Sequence, residues 1–371
     1  MKRYLVWIGT RPEAIKLCPL ILQMRRRGMQ VRVMLSGQHR DMVYPVLSFF
    51  GVRADGDLSL MREGQGVQEL TERLLCCMAG ELSANRPDTV MVHGDTSTAL
   101  CGAMTAFFAG IPVYHVEAGL RSDDIHAPFP EEFHRRAVDA MSDLHFAPTD
   151  AAVKRLIQEG YRREQIFMVG NTATDALRLC LERPIRHPLL EWAGPGRRLI
   201  LLTSHRRELG GEERLTLLQG IREVIEARRD VCLIVPAHPS PAVRAAAHQA
   251  LGNCANAIVT EPLLLPLMQH LLARSYLLLT DSGGLQEEAT YLGIPTLVLR
   301  DVTERPEGVA AGVLRTVGWQ RERVCEHLTR LLDYDDERAA MAQPSSVFGD
   351  GYAAQHIANV LGGEDGAECP E

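Results

Sequence analysis

Short apolar runs rich in β-branched residues alternate along this chain with longer segments of helical periodicity, and that alternation leaves few folds open. Parallel strands need crossover connections, usually helices, so the pattern predicts parallel sheets covered by helices on both faces. In the first half, strands are predicted at Tyr4–Ile8, Val31–Leu35, Thr89–Val92, Ile111–Val116, Leu144–Ala147 and Ile166–Val169, with helices between them, as at Pro12–Arg27 and Ser97–Ala109. The rhythm lapses between Arg183 and Gly196, where Pro184, Pro188, Gly194 and Pro195 read as a linker. It restarts with strands predicted at Arg198–Thr203, Val231–Pro236, Ala257–Thr260, Tyr276–Thr280 and Thr296–Leu299. The expected fold class is therefore α/β, with two Rossmann-like, doubly wound parallel-sheet domains, 1–182 and 197–348, and an interdomain cleft. For the tail, 349–371, a return to the first domain is an option that composition does not decide.

A chain of 371 residues is long for one core and suits two. Its net charge of −7 argues against a nucleic-acid partner, because phosphate contacts need a concentrated basic surface. The nine cysteines form no Cys-x-x-Cys pair and sit mostly in apolar runs, which fits small core residues of a reduced protein rather than a disulfide frame or metal site. Near the N-terminus the apolar stretch Tyr4–Ile8 is too short for a signal-peptide core. The later apolar window, 263–280, is broken by Pro266, Gln269, His270 and Arg274 and is not a membrane span. A cytoplasmic enzyme with no membrane partner is the expectation.

In open α/β sheets ligands bind beyond the carboxyl ends of the strands, so polar residues there carry the argument. The first such end reads GTRPEAIK, where Thr10 and Pro12 suit a helix start. Arg11 and Lys16 beside that helix dipole suit a diphosphate, and equally well two solvated cations. The next, HGDTST, offers Asp95, which alone reads as a helix cap. HVEAGLRSDD follows with Glu117, and neighbouring parallel strands lie about 4.8 Å apart, so Asp95 and Glu117 can face one bound sugar if their strands are adjacent. PFPEEFHRR adds Glu131 and Glu132 at a helix start, where first-turn acids favour the dipole, with His134 and Arg135 beside them.

The second half repeats the theme with cations and glycines. TSHRREL gathers His205, Arg206 and Arg207 at a strand end, a set that suits the phosphates of an anionic ligand. PAHPSP leaves His238 between prolines, where a rigid loop explains it as well as a site does. In TDSGGLQEEATYLGIP, Ser282, Gly283 and Gly284 let backbone N–H groups approach an anion at a helix N-terminus. Glu288, one turn beyond Gly284, suits a ribose diol, and Arg305 follows in RDVTERPEG.

Taken in order, GTRPEAIK, GQHRDM, VHGDT, HVEAGLRS, PFPEEFHRR, VGNTATDAL, TSHRRE, DSGGLQEEA and TERPEGVAAG resemble the non-hydrolysing UDP-N-acetylglucosamine 2-epimerases over most of the chain. The resemblance implies a glycosyltransferase-B fold and an isomerase that interconverts UDP-N-acetylglucosamine and UDP-N-acetylmannosamine by UDP elimination and re-addition through a bound glycal. It implies that Asp95, Glu117 and Glu131 are the acid/base carboxylates and that His205 assists UDP departure. Arg11, Lys16, Arg135, Ser282, Gly283, Gly284, Glu288 and Arg305 would bind the nucleotide sugar; Gln38, Arg207 and His238 match parts of a regulatory site described for some members. No cofactor or metal is implied, while a homodimer and a link to polysaccharide biosynthesis are. The chain departs from the family pattern at Leu264, Leu265 and Met268 on the uracil side, at Leu209, and at Asp41. Competing readings are a hydrolysing epimerase, an epimerase for another UDP-2-acetamido sugar, a glycosyltransferase of the same fold, and a nucleotide-sugar sensor.

Overall fold

The computed structural model describes residues 2–38, 40–62, 64–204, 210–237 and 240–363. Thirteen strands occur among them. They are β1 (Arg3–Ile8), β2 (Gln30–Leu35), β3 (Gly56–Asp57), β4 (Thr89–His93), β5 (Val113–Val116), β6 (Leu144–Ala147), β7 (Ile166–Met168), β8 (Arg198–Thr203), β9 (Val231–Pro236), β10 (Ala257–Thr260), β11 (Leu277–Thr280), β12 (Thr296–Val298) and β13 (Leu314–Thr316). They form two all-parallel sheets, ordered β3-β2-β1-β4-β5-β6-β7 and β10-β9-β8-β11-β12-β13. Each reverses direction of growth beside its first strand, between β1 and β4 and between β8 and β11, which is the doubly wound pattern that places ligands at strand carboxyl ends.

Burial on both faces explains why the central strands are apolar throughout: Leu5 to Ile8 and Leu277 to Leu279 are at most 1% exposed. Each such Leu or Ile contributes about 1.5–3 kcal/mol of burial, and truncating one to Ala costs about 2–5 kcal/mol. Two edge strands escaped the sequence reading. β3 is a Gly-Asp pair with no alternation to detect, and β13 is the half-buried tripeptide Leu-Arg-Thr. The strand predicted from Ile111 starts at Val113, because Pro112 has no N–H to give to the ladder and contributes only its carbonyl, to Val90.

Two compact units result, one of residues up to Ala176 with those from Gly349 onward, the other Leu177–Phe348. The segment Arg183–Gly196, expected to be a linker, instead carries a helix, Pro188–Trp192, with Pro188 in its first turn and Leu190 and Ala193 buried against Leu199, Leu271 and Leu278 in the second unit's core. In the first unit the helix Ala353–Gly362 packs on the helix Arg11–Arg26. Its N-terminus is capped by Asp175, whose carboxylate accepts from the backbone N–H of Ala353 (3.0 Å) and Ala354 (2.9 Å). Among the described residues no helix is long and apolar enough to cross a membrane.

Candidate active site

In the first unit the turn after β1 and the turn after β4 are joined by an acid. Glu13, 1% exposed, accepts through Oε2 from the backbone N–H of Gly9 (3.0 Å) and Thr10 (2.6 Å) and from the Thr10 hydroxyl (2.8 Å), and through Oε1 from the Thr96 hydroxyl (2.8 Å). Burial pushes its pKa up to about 7 against the pull of those four donors. Gly9 is required by close approach, since a Cβ there would lie 2.0 Å from the Thr98 hydroxyl oxygen. Thr96 caps the helix Ser97–Phe108 by accepting from the Ala99 N–H at 3.0 Å.

β4 and β5 are neighbours, with His93 in register with Val116, so the adjacency on which the pairing of Asp95 with Glu117 depends holds. Glu117 takes a left-handed backbone conformation (φ 67°), unusual for a residue with a Cβ. Its Oε2 pairs with the Lys16 ammonium, accepts from the Asn171 amide at 2.8 Å, and lies 3.7 Å from His93 Nε2. His93 is neutral: burial first, with Lys16 adding to it, pushes its pKa down to about 3 despite Glu117. Asp95 is gripped by Arg135, whose Nε donates at 3.0 Å and whose Nη2 completes the pair, while His134 Nδ1 donates to the Asp95 carbonyl at 2.8 Å. Both contacts come from the helix Glu131–Ala140.

The two glutamates that start this helix divide their roles. Glu132 is buried and accepts from Ser122 N–H (3.0 Å), Arg135 Nη1 (3.3 Å) and Arg136 Nε (2.7 Å), which ties the 122 turn to this helix and gives the acid a structural role. Glu131 is part-exposed at the first position of the helix. Gln38, the regulatory candidate, lies just past β2 and accepts from the Thr98 hydroxyl at 3.1 Å. Arg121, in the turn after β5, pairs with Asp139 (2.8 Å) and Glu159 (2.5 Å). Asp123 pairs with Arg155 at 2.7 Å, and Asp124 accepts from His126 N–H at 2.9 Å.

In the second unit, β11 ends at Thr280 and the helix Gly283–Leu292 follows after Ser282. Thr280 Oγ1 accepts from Ser282 N–H at 3.0 Å, which sets the turn. Glu288, 8% exposed, accepts from Gln269 Nε2 at 3.1 Å. Arg305 pairs with Glu287, and its backbone N–H donates to Thr303 Oγ1 at 3.1 Å; the Thr303 hydroxyl in turn donates to Gln286 Oε1 at 2.5 Å. A cation is thus held beside the Ser282–Gly284 turn: a Cβ on Gly283 would lie 3.4 Å from Arg305 Nη2. Leu264 is exposed ahead of the helix Leu265–Ala273, and Leu265 is buried in it. His205, Arg207 and His238 lie outside the described residues.

Three of these residues were given no site role from the sequence: Glu13, Asn171 and Gln269. Glu13 had a signal, since Thr10-x-x-Glu13 is the capping-box spacing. Asn171, 54 positions from Glu117, reaches it only through the fold; β5 and the chain after β7 had to be placed first.

A family model described as UDP-N-acetylglucosamine 2-epimerase matches residues 22–362. The UDP-N-acetylglucosamine 2-epimerase of Bacillus subtilis (strain 168) is 42% identical over 354 residues, covering 95% of this chain and 93% of that protein. Two solved structures superpose with TM-scores of 0.91: a protein from Listeria monocytogenes described as a putative UDP-N-acetylglucosamine 2-epimerase, 39% identical, covering 100% of this chain and 99% of that one, and the UDP-GlcNAc 2-epimerase of Neisseria meningitidis bound to UDP-GlcNAc, 37% identical, covering 97% and 99%. With two parallel-sheet α/β units of the glycosyltransferase-B type and a match over nearly its whole length, this chain belongs to the UDP-N-acetylglucosamine 2-epimerase family.

Proposed function

We propose that the protein is a non-hydrolysing epimerase that interconverts UDP-N-acetylglucosamine and UDP-N-acetylmannosamine. One carboxylate takes the proton from sugar carbon 2 while the bond from carbon 1 to the UDP oxygen breaks, leaving a carbon 1–carbon 2 double bond and free UDP in the site. UDP then adds back to carbon 1, and a proton is delivered to carbon 2 from the opposite face. Exchange between faces needs more than one proton-transfer group. Asp95, Glu117 and Glu131 are assigned that work, with Arg11, Lys16, the Ser282–Gly284 turn, Glu288 and Arg305 holding the nucleotide sugar and His205 easing UDP departure. A cytoplasmic homodimer feeding polysaccharide biosynthesis is the setting this reading carries with it.

The observation that carries the reading is the placement of Asp95 and Glu117 at the ends of adjacent parallel strands, each carboxylate held by a cation, Arg135 on Asp95 and Lys16 on Glu117, with Asn171 donating to Glu117 as well. The test is incubation of the purified protein with UDP-N-acetylglucosamine in deuterium oxide, followed by NMR. Deuterium at carbon 2 with UDP still attached is expected. Free N-acetylmannosamine would move the assignment to a hydrolysing epimerase, and a requirement for an added acceptor would move it to a transferase.

A further inference from the structure

His115, two residues before Glu117, touches neither carboxylate assigned to catalysis, yet it is fully buried between the turns that carry them. Its Nδ1 lies 2.6 Å from Asp139 Oδ1 and its Nε2 lies 2.9 Å from the Gly94 carbonyl oxygen. A carbonyl oxygen only accepts, and so does an ionised carboxylate, so with Asp139 ionised both ring nitrogens must donate. The surroundings of Asp139 favour that ionised form. Its Oδ2 faces the Arg121 guanidinium (2.8 Å) and accepts from Gly119 N–H (3.3 Å), and although burial works to raise its pKa, His115, Arg121 and His145 together hold it below the usual carboxylate value. A neutral imidazole would leave one of its two acceptors facing a lone pair in a site without solvent.

These bonds tie together the parts that matter. The Gly94 carbonyl belongs to the residue before Asp95, and Gly94 N–H also donates to the Val116 carbonyl at 2.9 Å, so the Asp95 turn is fastened to β5 at two points. The Gly119 N–H belongs to the turn that leaves Glu117. Asp139 stands one helical turn after Arg135, the residue that grips the Asp95 carboxylate.

We infer that His115 is held as an imidazolium and, with Asp139, forms the positioning pair that fixes the Asp95 turn relative to the Glu117 turn. The titratable and charged groups facing the ring are Asp139 from the helix Glu131–Ala140, Arg121 from the turn after β5, His93 from β4 and His145 from β6. Of these His93 is uncharged, and His145 uses Nε2 to donate to the Asp139 carbonyl at 3.0 Å. The kinetic half of this inference rests on the epimerase reading; the charge state of the ring does not.

Two measurements test it. In protein labelled with 15N-histidine, long-range proton–nitrogen NMR is expected to show one ring with both nitrogens protonated at pH 8, and that signal should vanish in His115→Gln and turn into a neutral-ring pattern in Asp139→Asn. A neutral His115 ring in the wild-type protein overturns the inference. In kinetics, His115→Gln is expected to lower kcat roughly 10²-fold, the scale of a small misplacement of catalytic groups, with KM for UDP-N-acetylglucosamine within about threefold of wild type. Wild-type kcat in that variant overturns the positioning role, as does an equal loss in kcat and in UDP affinity, which would mark general unfolding of the site. Absence of turnover in the wild-type protein would count against the proposed function instead, leaving the NMR result to decide the charge state.

Discussion

The two sheets share a winding order but equip their strand ends differently. In the first unit the polar groups at the ends of β1, β4 and β5 are mostly committed to one another: Glu117 to Lys16 and Asn171, Asp95 to Arg135, Glu13 to both flanking turns. In the second, the turn at Ser282–Gly284 presents backbone at a helix N-terminus, and the neighbouring side chains, Arg305 on Glu287 and Gln269 on Glu288, frame it. The difference matches what the proposed function asks of each. Proton transfer requires carboxylates fixed in place, whereas a phosphate is met well by N–H groups and a helix dipole. The first unit is accordingly assigned the chemistry and the second the nucleotide.

The largest expected effects lie in the first unit. Asp95→Asn and Glu117→Gln are each expected to reduce kcat by about 10²–10⁴-fold, the usual contribution of a positioned acid or base, while UDP binding measured by calorimetry stays detectable. Wild-type turnover in either variant would remove that residue from the mechanism. Lys16→Met should fall between the two units in character. It strips Glu117 of its cation, so a drop in kcat larger than the rise in KM is expected if Lys16 serves the acid, and the reverse if it serves the diphosphate.

In the second unit the expected losses are in affinity. Arg305→Met breaks the pair with Glu287 and leaves that carboxylate buried, and Glu288→Gln weakens the acceptor offered to a ribose. Each should weaken UDP binding by about 10–100-fold, the scale of about 1.5–3 kcal/mol for a hydrogen bond to a charged group, with kcat changed much less. A kcat loss matching that of Asp95→Asn would erase the contrast between the units.

The comparison also shows what a sequence can and cannot disclose. Strand order was within reach because a chain that alternates strand and helix has few ways to wind, and the adjacency of β4 and β5 follows from the common tendency of consecutive strands to neighbour. The Asp95 and Glu117 positions were legible as acids at strand ends. What holds them was not. Arg135 lies 40 positions from Asp95, Asn171 lies 54 from Glu117, and Lys16 lies 101 from Glu117. No local pattern encodes a contact made by folding. The same limit hid β3 and the Pro188–Trp192 helix: one is too short for periodicity, and the other is masked by the prolines and glycines that flank it.

Glu13 provides the finest division between the units, because it is a buried acid that serves structure inside the half to which the chemistry is assigned. Its folded pKa of about 7 lies above the ordinary value of 4.5, so the folded state holds this proton more tightly than the unfolded chain does. The stability contribution is therefore constant below about pH 4.5, declines as pH rises towards 7, and stays at its lower level above that. Glu13→Gln imitates the protonated form. Its carbonyl oxygen can accept from Gly9 and Thr10 where Oε2 does now, and its amide can donate to the Thr96 hydroxyl oxygen. The variant should flatten the decline and gain on the order of 1–3 kcal/mol relative to wild type at pH 8, read from urea unfolding at pH 5 and pH 8. A wild-type stability curve as flat as the variant's would mean that the four donors offset burial in full and leave Glu13 ionised at neutral pH. The buried acid would then be one more fixed negative charge beside Asp95 and Glu117, and the first unit would carry its carboxylates with less cost than burial alone predicts.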